Sequence, residues 1–354
     1  MVDLIRGIVS VSRFAPSDHP AHFFEVELRG VVRLRNDKLM NPSAIAEYLG
    51  QISPVPFSPE FRFGTEIAEA LRGVVDLGEL DIRVSGITDP IFRPHRDSFA
   101  TNEKRSIPFQ NLQIVEVPGI DGGIAGIAWV LHHDYDGAIS TSALIKGLRM
   151  RSGNVQIGDH ALLEELFPEA RFNVWSVGEV HIVDRRIVPN GRRDHFEQNA
   201  HFHNLANHLT PLARDIARQC RTSSVRRKWL REFELHRQSA DEKLGVIAQG
   251  SLGKTKRAAM ASAVDQVILQ MEKIAGMELL IEDSPHKLRP VVKSLRGKYA
   301  RTMKEKEAQL SPLARLSANK RTMYEHLFSL VYECSTNRSA AKALIDRILH
   351  KITS

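Results

Sequence analysis

The sequence has few of the features that place a protein outside the cell or in a membrane. Its only two cysteines, Cys220 and Cys334, lie far apart, so we expect reduced thiols rather than a disulfide framework. No run approaches the roughly 20 consecutive apolar residues of a membrane-spanning helix. The start, MVDLIRGIVS, lacks the basic, apolar and small-residue order of a signal peptide. These absences predict a cytoplasmic protein without membrane contact.

Several short enzyme motifs are also missing. The sequence contains neither the HExxH nor the paired CxxC patterns of zinc sites, and no GxSxG turn of a serine hydrolase. Two groups of histidine and aspartate nevertheless contain residue types that bind zinc or iron. They are His132, His133, Asp134 and Asp136, and then His195, His201, His203 and His208. Their spacing is equally typical of a strand end and turn, so we predict no metal.

Charge divides the 354 residues into two unlike parts. Residues 1–210 contain 21 Lys and Arg against 27 Asp and Glu, a net charge of −6, whereas residues 211–354 contain 28 against 15, a net charge of +13. A basic region beside an acidic one indicates a polyanionic partner or an electrostatic contact between domains. A solvated helical surface rich in Lys and Arg is the alternative, and charge alone does not separate the two.

Residues 1–205 are predicted to form an α+β domain, because period-two alternation is mixed with helical stretches. Phe24, Val26 and Leu28 alternate with charged residues, and Val32 and Leu34 repeat the pattern, which predicts two neighbouring strands. A helix is expected at PSAIAEYLGQ, followed by an ordered loop at SPVPFSPEFRFG. Further strands are predicted at LDIRVSG, LQIVEVP, GIAWVLHH and WSVGEVHIVD.

The rest of the chain is predicted to be helical. Apolar residues recur at helical spacing through residues 206–310, which indicates long helices in a coiled, basic arm. Ser284 and Pro285 are placed as a helix start. Residues 311–354 are denser in apolar side chains and are expected to fold as a small helical end domain. The overall prediction from these patterns is an α+β domain followed by this arm and end domain.

The strongest local feature is the stretch VDRRIVPNGRRDHFEQN, residues 183–199. A turn is predicted around Asn190, and Arg192 and Arg193 then project just before a helix expected to contain Phe196. Arginine carries a permanent charge and a planar fork of donors, so such a loop can neutralise a phosphoryl group. The residues alone favour the simpler interpretation, a surface turn whose arginines pair with neighbouring acidic side chains.

Four stretches together resemble the transducer domain of GHKL ATPases of the ninety-kilodalton heat-shock chaperone and Morc kind. They are YLGQISPVPFSPEFRFG, VPGIDGGIAG, IKGLRMRSGNVQIGD and WSVGEVHIVDRRIVPNGRRDHFEQN, and the resemblance covers roughly residues 20–210. The resemblance implies a transducer-type α/β sandwich for this part of the chain. In that family, a basic residue on a transducer loop reaches the γ-phosphate of ATP bound by the preceding domain. Matching Asp194 and Phe196 to the Asp and Phe of the Morc loop places Arg192 or Arg193 at the basic position, with Asn190 and Gln198 in support.

The resemblance implies a nucleotide-binding domain, but the motifs of such a domain are missing from this sequence. GHKL nucleotide domains carry a DxGxG loop, which does not occur here, and an ExxxN helix, which is spelled only at Glu169–Asn173 and Glu333–Asn337 outside that context. We therefore expect the chain by itself to bind no cofactor and to hydrolyse no ATP. ATP and Mg²⁺ would be held by a GHKL nucleotide domain in a separate polypeptide or in an upstream segment.

A second nucleotide-binding hypothesis rests on AQGSLGKT, Ala248–Thr255. It fits a relaxed P-loop in which Lys254 would reach the phosphates and Thr255 would hold Mg²⁺. A P-loop requires a buried strand before it and a parallel sheet around it, whereas this segment lies among predicted helices. The preferred interpretation is a glycine-containing break between two helices of the arm.

The alternative function is a basic nucleic-acid-binding or scaffold module with no catalytic role. In this version, Lys and Arg of the arm contact phosphates of DNA or RNA without reading sequence. The candidates are Arg226, Arg227, Lys228, Lys254, Lys256, Arg257, Lys293, Arg296 and Lys298. Both functions can belong to one protein, as Morc relatives suggest, and a homodimer is compatible with either.

Overall fold

A computed structural model describes residues 22–30, 32, 38–100, 106–281, 285–308 and 312–353. Seven strands are present in this part of the chain: β1 Ser98–Ala100, β2 Ser106–Pro108, β3 Asn111–Pro118, β4 Ile124–His132, β5 Gly147–Ser152, β6 Val155–Ile157 and β7 Val177–Ile182. Its α-helices are α1 Pro42–Ile52, α2 Gly64–Leu71, α3 Ala200–Gln249, α4 Lys254–Ala275, α5 Glu278–Ile281, α6 Pro285–Ala308, α7 Ala318–Cys334 and α8 Arg338–Thr353. The α+β prediction is confirmed.

Strands β3 to β7 form one mixed sheet in the order β3-β4-β7-β5-β6. Strand β7 is at its centre, antiparallel to β4 and parallel to β5. In this register Glu179 lies opposite Trp129 of β4 and Arg149 of β5. Strands β1 and β2 form a separate antiparallel pair. The central position explains why every residue of β7 is buried, including its two charged or titratable ones.

Each face of the sheet is covered by a different part of the chain. The first half of α3 packs on one face, where Leu205 and Ile216 join Val180 and Met150 in one apolar cluster. The other face is covered by residues 53–97, including α2, and its apolar cluster is formed by residues that include Phe61, Ile67, Ile127, Trp129 and Leu131. The charged side chains of β5 and β7 point into this second layer, because successive side chains of a strand alternate between faces.

The basic half is a helical bundle built on the second part of α3. Leu244 of α3 packs with Val264 and Ile268 of α4 and with Val292 of α6. Helices α7 and α8 form a smaller cluster around Phe328 and Ile345, to which α3 contributes Val246. The 50-residue α3 therefore runs across the predicted boundary between residues 205 and 206, and the α+β part and the arm share it.

Most predicted elements match the structure, but two predicted strands do not. The strands predicted at LQIVEVP, GIAWVLHH and WSVGEVHIVD are β3, β4 and β7, and the helix at PSAIAEYLGQ is α1. The strand predicted at LDIRVSG is wrong, because residues 80–86 make only scattered backbone bonds such as Leu80 N–H to Pro54 O. Residues 24–28 pair with no described strand, and the predicted strand at 32–35 lies mostly outside the described residues.

The helix starts follow ordinary capping chemistry. The side chain of Asn41 accepts the Ala44 N–H at 3.1 Å before α1, and the side chain of Asn199 accepts the Phe202 N–H at 3.0 Å before α3. Pro285 begins α6, while Ser284 lies outside the described residues. None of the described helices combines the length and the apolar composition needed to cross a membrane.

Candidate functional site

Residues 189–196 form a closed loop just before α3, called here the Arg193 loop. Pro189 and Phe196 form an antiparallel bridge, and the Asn190 N–H donates to the His195 carbonyl at 2.9 Å. Within the loop, the Arg193 N–H donates to the Asn190 carbonyl at 3.0 Å. The loop is thus held at its neck by backbone bonds, like a short hairpin.

The Asn190 side chain braces the loop from inside. Its oxygen accepts the Asp194 N–H at 3.2 Å, and its amide donates to the Asp194 carboxylate at 2.8 Å. That hydrogen bond lowers the pKa of the Asp194 carboxyl. Gln198 closes the other side, where its amide contacts His195 Nδ1 at 3.1 Å and the Phe196 carbonyl at 3.2 Å. Asn190, Asp194 and Gln198 are therefore all part of the support of this loop.

Arg192 and Arg193 lie in different electrostatic settings. Arg192 Nε is 3.0 Å from the Asp194 carboxylate, so its charge is partly balanced, although its side chain is 87% exposed. The exposed Arg193 side chain has no ion pair or hydrogen bond within the described ranges. Its backbone adopts a positive φ of 57° and its carbonyl accepts the Gly158 N–H at 3.0 Å. Among the described residues, Arg193 therefore presents a guanidinium without a counter-charge, on a backbone held by two hydrogen bonds.

The loop is joined to the long helix by aromatic packing. Phe196 is buried and stacks on Phe202, with ring centroids 5.7 Å apart and planes inclined by 17°. The prediction that Phe196 lies in a helix is wrong, because α3 begins four residues later at Ala200. The backbone bridge to Pro189 holds Phe196 extended, and Asn199 caps the helix behind it. Movement of the loop is consequently coupled to the first turn of α3.

A buried charge cluster lies between the sheet and residues 53–97, where the sequence analysis had placed no site. Glu179 accepts from Arg93 Nη1 at 2.5 Å and from Arg151 Nε at 2.7 Å, and all three side chains are at most 1% exposed. Although burial raises the pKa of the Glu179 carboxyl, the charges of Arg151 and Arg93 outweigh it and hold this pKa well below its usual range. Glu179 is therefore ionised in the protein interior.

The remaining donors of the two arginines bond to backbone carbonyls in the last turn of α1 and in the irregular segments near it. Arg151 donates to the Gln51 carbonyl at 2.7 Å and the Asn154 carbonyl at 2.9 Å, and Arg93 donates to the Val55 carbonyl at 3.0 Å. Buried carbonyls outside helices and strands need such partners. The cluster therefore fastens the segment after α1 to the centre of the sheet.

Two buried histidines beside Glu179 are kept neutral by their surroundings. Burial lowers the pKa of His95 to about 3 and that of His181 to about 4. Nδ1 of both rings and the indole nitrogen of Trp129 are buried and have no hydrogen-bond partner among the residues that the structure describes. The sequence held a signal for this cluster, because Glu179 interrupts the apolar strand WSVGEVHIVD, and Arg149 and Arg151 interrupt GLRMRS.

A chain of polar contacts connects this cluster with the Arg193 loop. Arg149, opposite Glu179 in the sheet, donates to the Gln156 side-chain oxygen at 3.2 Å. The amide of Gln156 donates to the Gly158 carbonyl at 2.9 Å. Gly158 in turn donates to the Arg193 carbonyl. The exposed arginine is thus supported from the sheet through Gly158.

The nine basic residues predicted to contact nucleic acid are spread over α3, α4 and α6. Four of them form ion pairs within the protein: Arg227 with Asp136, Lys256 with Glu333, Arg296 with Asp265 and Glu272, and Lys298 with Asp241. Lys228 lies over the Trp229 ring, with its nitrogen 5.4 Å from the ring centroid. Arg226 and Arg257 also have contacts. Lys254 and Lys293 are exposed and make no ion pair with any described residue.

The segment that resembles a P-loop lies between two helices. Gly250 ends α3 in the left-handed conformation, with φ of 70°, and α4 begins at Lys254. The element that leads directly into it is the helix α3, not a strand. Ser251 is fully buried and donates to Gln249, which also accepts from Tyr332 of α7. The segment therefore has a packing role at the junction of α3 with the end domain.

The histidines named as metal-ligand candidates have other contacts. Nδ1 of His132 is 2.7 Å from the Tyr135 hydroxyl and Nε2 is 2.8 Å from the Gln113 side-chain oxygen, while His133 contacts the Trp175 carbonyl at 2.8 Å. Over the described ranges, no group of three or more His, Cys, Asp or Glu is arranged to hold a metal ion. Cys220 and Cys334 are both free thiols.

Comparisons of the chain with protein-family models, with curated proteins and with solved structures give no match. The resemblance to GHKL transducer domains accordingly rests on the residues quoted above, and the geometry of the Arg193 loop is the observation from which function is argued.

Proposed function

We propose that this chain is the transducer and helical C-terminal part of a GHKL ATPase, in which Arg193 senses the γ-phosphate of ATP. The nucleotide and its Mg²⁺ are held by a GHKL nucleotide domain, in another polypeptide or in an upstream segment, and the complex is cytoplasmic. One observation carries the proposal. Arg193 is an exposed cation without a partner in the described residues, and its backbone is fixed by the Asn190 and Gly158 bonds.

Phosphoryl transfer needs this kind of group. Charge develops on the transferring phosphoryl group and its bridging oxygen, and a guanidinium already in position stabilises that charge without reorganisation at the moment of reaction. A loop braced by Asn190 and pinned to Gly158 limits the backbone freedom of the arginine. Arg192 is less suited to this role, because Asp194 already balances its charge.

The same loop is placed to transmit the presence of phosphate. Phe196 stacks on Phe202 in the first turn of α3, so a shift of the loop displaces the start of that helix. Helix α3 has 50 residues and at 1.5 Å per residue is about 75 Å long, so that its second part lies in the helical arm. Contact with the γ-phosphate can therefore move the arm, which is the coupling role proposed for this chain.

The test is turnover of ATP by the chain assembled with its GHKL nucleotide domain, taken from the same reading frame or a neighbouring gene. Arg193→Ala is expected to lower kcat on the order of a thousandfold, as removal of an arginine finger does. The Kd for ATP should change much less, because the interaction is strongest in the transition state. Arg193→Lys should retain part of the rate, since it keeps the charge without the bidentate fork.

Arg192→Ala is the matched control, because it removes a neighbouring arginine on the same loop that is already paired with Asp194. Its expected effect on kcat is less than about tenfold, the scale of an exposed ion pair. If Arg193→Ala, Arg192→Ala and the double variant all turn over ATP at the normal rate, the proposed role of the loop is wrong.

A further inference from the structure

One hydrogen bond joins the Arg193 loop to the sheet. The backbone N–H of Gly158, the residue after β6, donates to the Arg193 carbonyl at 3.0 Å. No other hydrogen bond between described residues connects the loop to the chain before residue 183. Together with the packing of Phe196, this bond determines where Arg193 lies relative to the sheet.

The side chain of Gln156 holds Gly158 from the other side. Its amide Nε2 donates to the Gly158 carbonyl at 2.9 Å, and its Oε1 accepts from Arg149 Nη1 at 3.2 Å. The amide has only this orientation, because a carbonyl cannot donate and a guanidinium cannot accept. Such a bond matters at Gly158, since a glycine has more freedom than other residues to leave its φ of 63°. Gln156 therefore fixes the peptide group next to the one that faces Arg193.

Arg149 is a firm anchor for Gln156. It lies in β5 opposite Glu179 and is only 5% exposed. Besides the bond to Gln156, its Nη1 donates to the Gln51 side-chain oxygen at 3.1 Å. Gln51 and Gln156 therefore accept from the same guanidinium nitrogen, but only Gln156 continues to Gly158.

We propose that Gln156 is a positioning residue for Arg193, and that it makes the placement of this guanidinium depend on the buried cluster around Glu179. This inference rests on the proposed function, because it concerns the arginine that faces the γ-phosphate. A guanidinium stabilises the transferring phosphoryl group only at hydrogen-bond distance, and a displacement of about 1 Å can cost about a hundredfold in rate. Without the Gln156 bond, Gly158 and the Arg193 carbonyl that it holds gain freedom, and the productive position is populated less.

Three variants separate this role from ordinary stabilisation of the fold. Gln156→Met removes both contacts of the amide, whereas Gln156→Glu keeps the acceptor for Arg149 and removes the donor to Gly158. Gln51→Met is the matched control, because Gln51 accepts from the same Arg149 nitrogen and donates to a different backbone carbonyl, that of Glu47, at 3.0 Å. The two methionine variants should lower the free energy of unfolding by similar amounts, which urea unfolding checks.

Hydrogen exchange of the residue 158 amide in the isolated full chain is the first readout. Both Gln156 variants should speed this exchange about tenfold, the effect of one lost hydrogen bond, and Gln51→Met less than about threefold. The second readout is ATP turnover by the chain assembled with its GHKL nucleotide domain. The Gln156 variants should lower kcat about tenfold and change the Kd for ATP less than about twofold, because a misplaced Arg193 weakens chiefly the transition state. Gln51→Met should leave kcat unchanged.

Unchanged exchange at residue 158 in both Gln156 variants would overturn the inference, and so would equal acceleration by Gln51→Met. A normal kcat in the Gln156 variants overturns it as well when Arg193→Ala lowers kcat. If Arg193→Ala itself turns over ATP normally, the proposed function is wrong. Faster exchange confined to the Gln156 variants would then still show that Gln156 holds the Arg193 loop, so the two failures are distinguishable.

Discussion

Arg93 and Glu179 form an ion pair in the protein interior, with Arg93 Nη1 2.5 Å from Glu179 Oε2 and neither side chain more than 1% exposed. The two residues come from unlike parts of the chain, an irregular segment over the sheet and the central strand β7. Their contact, shared with Arg151, attaches one layer of the α+β part to the other. The attachment of the two layers therefore depends on one carboxylate, that of Glu179.

Removing this carboxylate is expected to destabilise the fold strongly. Glu179→Gln keeps the shape but leaves two buried guanidiniums without a counter-charge, so the free energy of unfolding should fall by about 3–5 kcal/mol. Asp81→Asn is the control, because Asp81 pairs with Arg83 at the surface, 3.2 Å apart, and should change stability by less than about 1 kcal/mol. Urea unfolding measures the free energy of unfolding of both variants. Similar decreases in the two would contradict a structural role for the cluster.

The cluster also predicts a loss of stability in mild acid. The pKa values of His95 and His181 are lowered from 6.5 to about 3 and about 4 in the folded chain. Between pH 6.5 and 4 the unfolded chain therefore binds protons that the folded chain does not, and the free energy of unfolding falls as pH falls. Each histidine contributes a slope of up to about 1.4 kcal/mol per pH unit.

Urea unfolding at several pH values measures this slope. His95→Gln should reduce it, since the variant has one fewer group that takes up a proton on unfolding. Glu179 adds to the loss only at lower pH, because its carboxyl has an ordinary pKa of 4.5 and a folded pKa well below that value. A free energy of unfolding that is constant from pH 6.5 to 4 would show that the two histidines are not buried as neutral groups.

Gly158 offers a test of the support beneath Arg193. A Cβ at this position would lie 2.7 Å from the Asp194 carbonyl oxygen, so Gly158→Ala must displace the Arg193 loop. Gly153→Ala is the matched control for Gly158→Ala. Its φ of 56° is close to the 63° of Gly158, but a Cβ at residue 153 would meet nothing within 4 Å. In both variants an alanine occupies a position with positive φ, which costs about 1 kcal/mol of backbone strain.

Only Gly158→Ala should lose protection of the residue 158 amide, which donates to the Arg193 carbonyl. Its free energy of unfolding should also fall further than that of Gly153→Ala. Hydrogen exchange at residue 158 and urea unfolding measure the two effects. Equal behaviour of the two variants would mean that Gly158 does not hold the loop.

ATP is not expected to bind the segment around Lys254 in the isolated chain. A P-loop cradles phosphates with free backbone N–H groups after a strand, whereas Gly250 is here a helix end and Ser251 is buried. Calorimetry with ATP and Mg²⁺ should give no binding heat, and Lys254→Ala should behave like the wild type. Micromolar binding that is abolished by Lys254→Ala would overturn this prediction.

Binding of the helical arm to duplex DNA is expected to be weak and salt-sensitive, because several of its basic side chains are already paired with carboxylates of the protein. The double variant Lys254→Gln, Lys293→Gln should reduce the magnitude of the slope of log K, the DNA-binding constant, against log salt concentration by about 1.8. Each substitution removes one phosphate contact, and each contact contributes roughly 0.9 to the slope. Lys256→Gln with Lys298→Gln should change it less, since these ammonium groups lie 2.7 and 2.5 Å from carboxylates. Binding isotherms at several salt concentrations measure both slopes, and a slope independent of all four lysines would exclude these lysines as phosphate contacts.

Local patterns predicted much of this architecture. The apolar stretches LQIVEVP and GIAWVLHH, bounded by turn residues, were sufficient to predict β3 and β4, and helical spacing of apolar residues predicted the helical second half. The strands β5 and β6 were not predicted, because GLRMRS carries arginines on what is a buried face. The segment 24–28 shows the opposite failure, since its strand pattern is clear but its partner is absent from the described chain.

The sequence by itself determined the α+β class, the long helices and the exposed arginine pair after a turn, because these depend on residues a few positions apart. Only the tertiary structure decided that Glu179 is ionised between two buried guanidiniums. The physical reason is distance along the chain. Arg93 lies 86 residues from Glu179, and the energies of burial and charge that act between them appear only when the sheet and its covering layer meet.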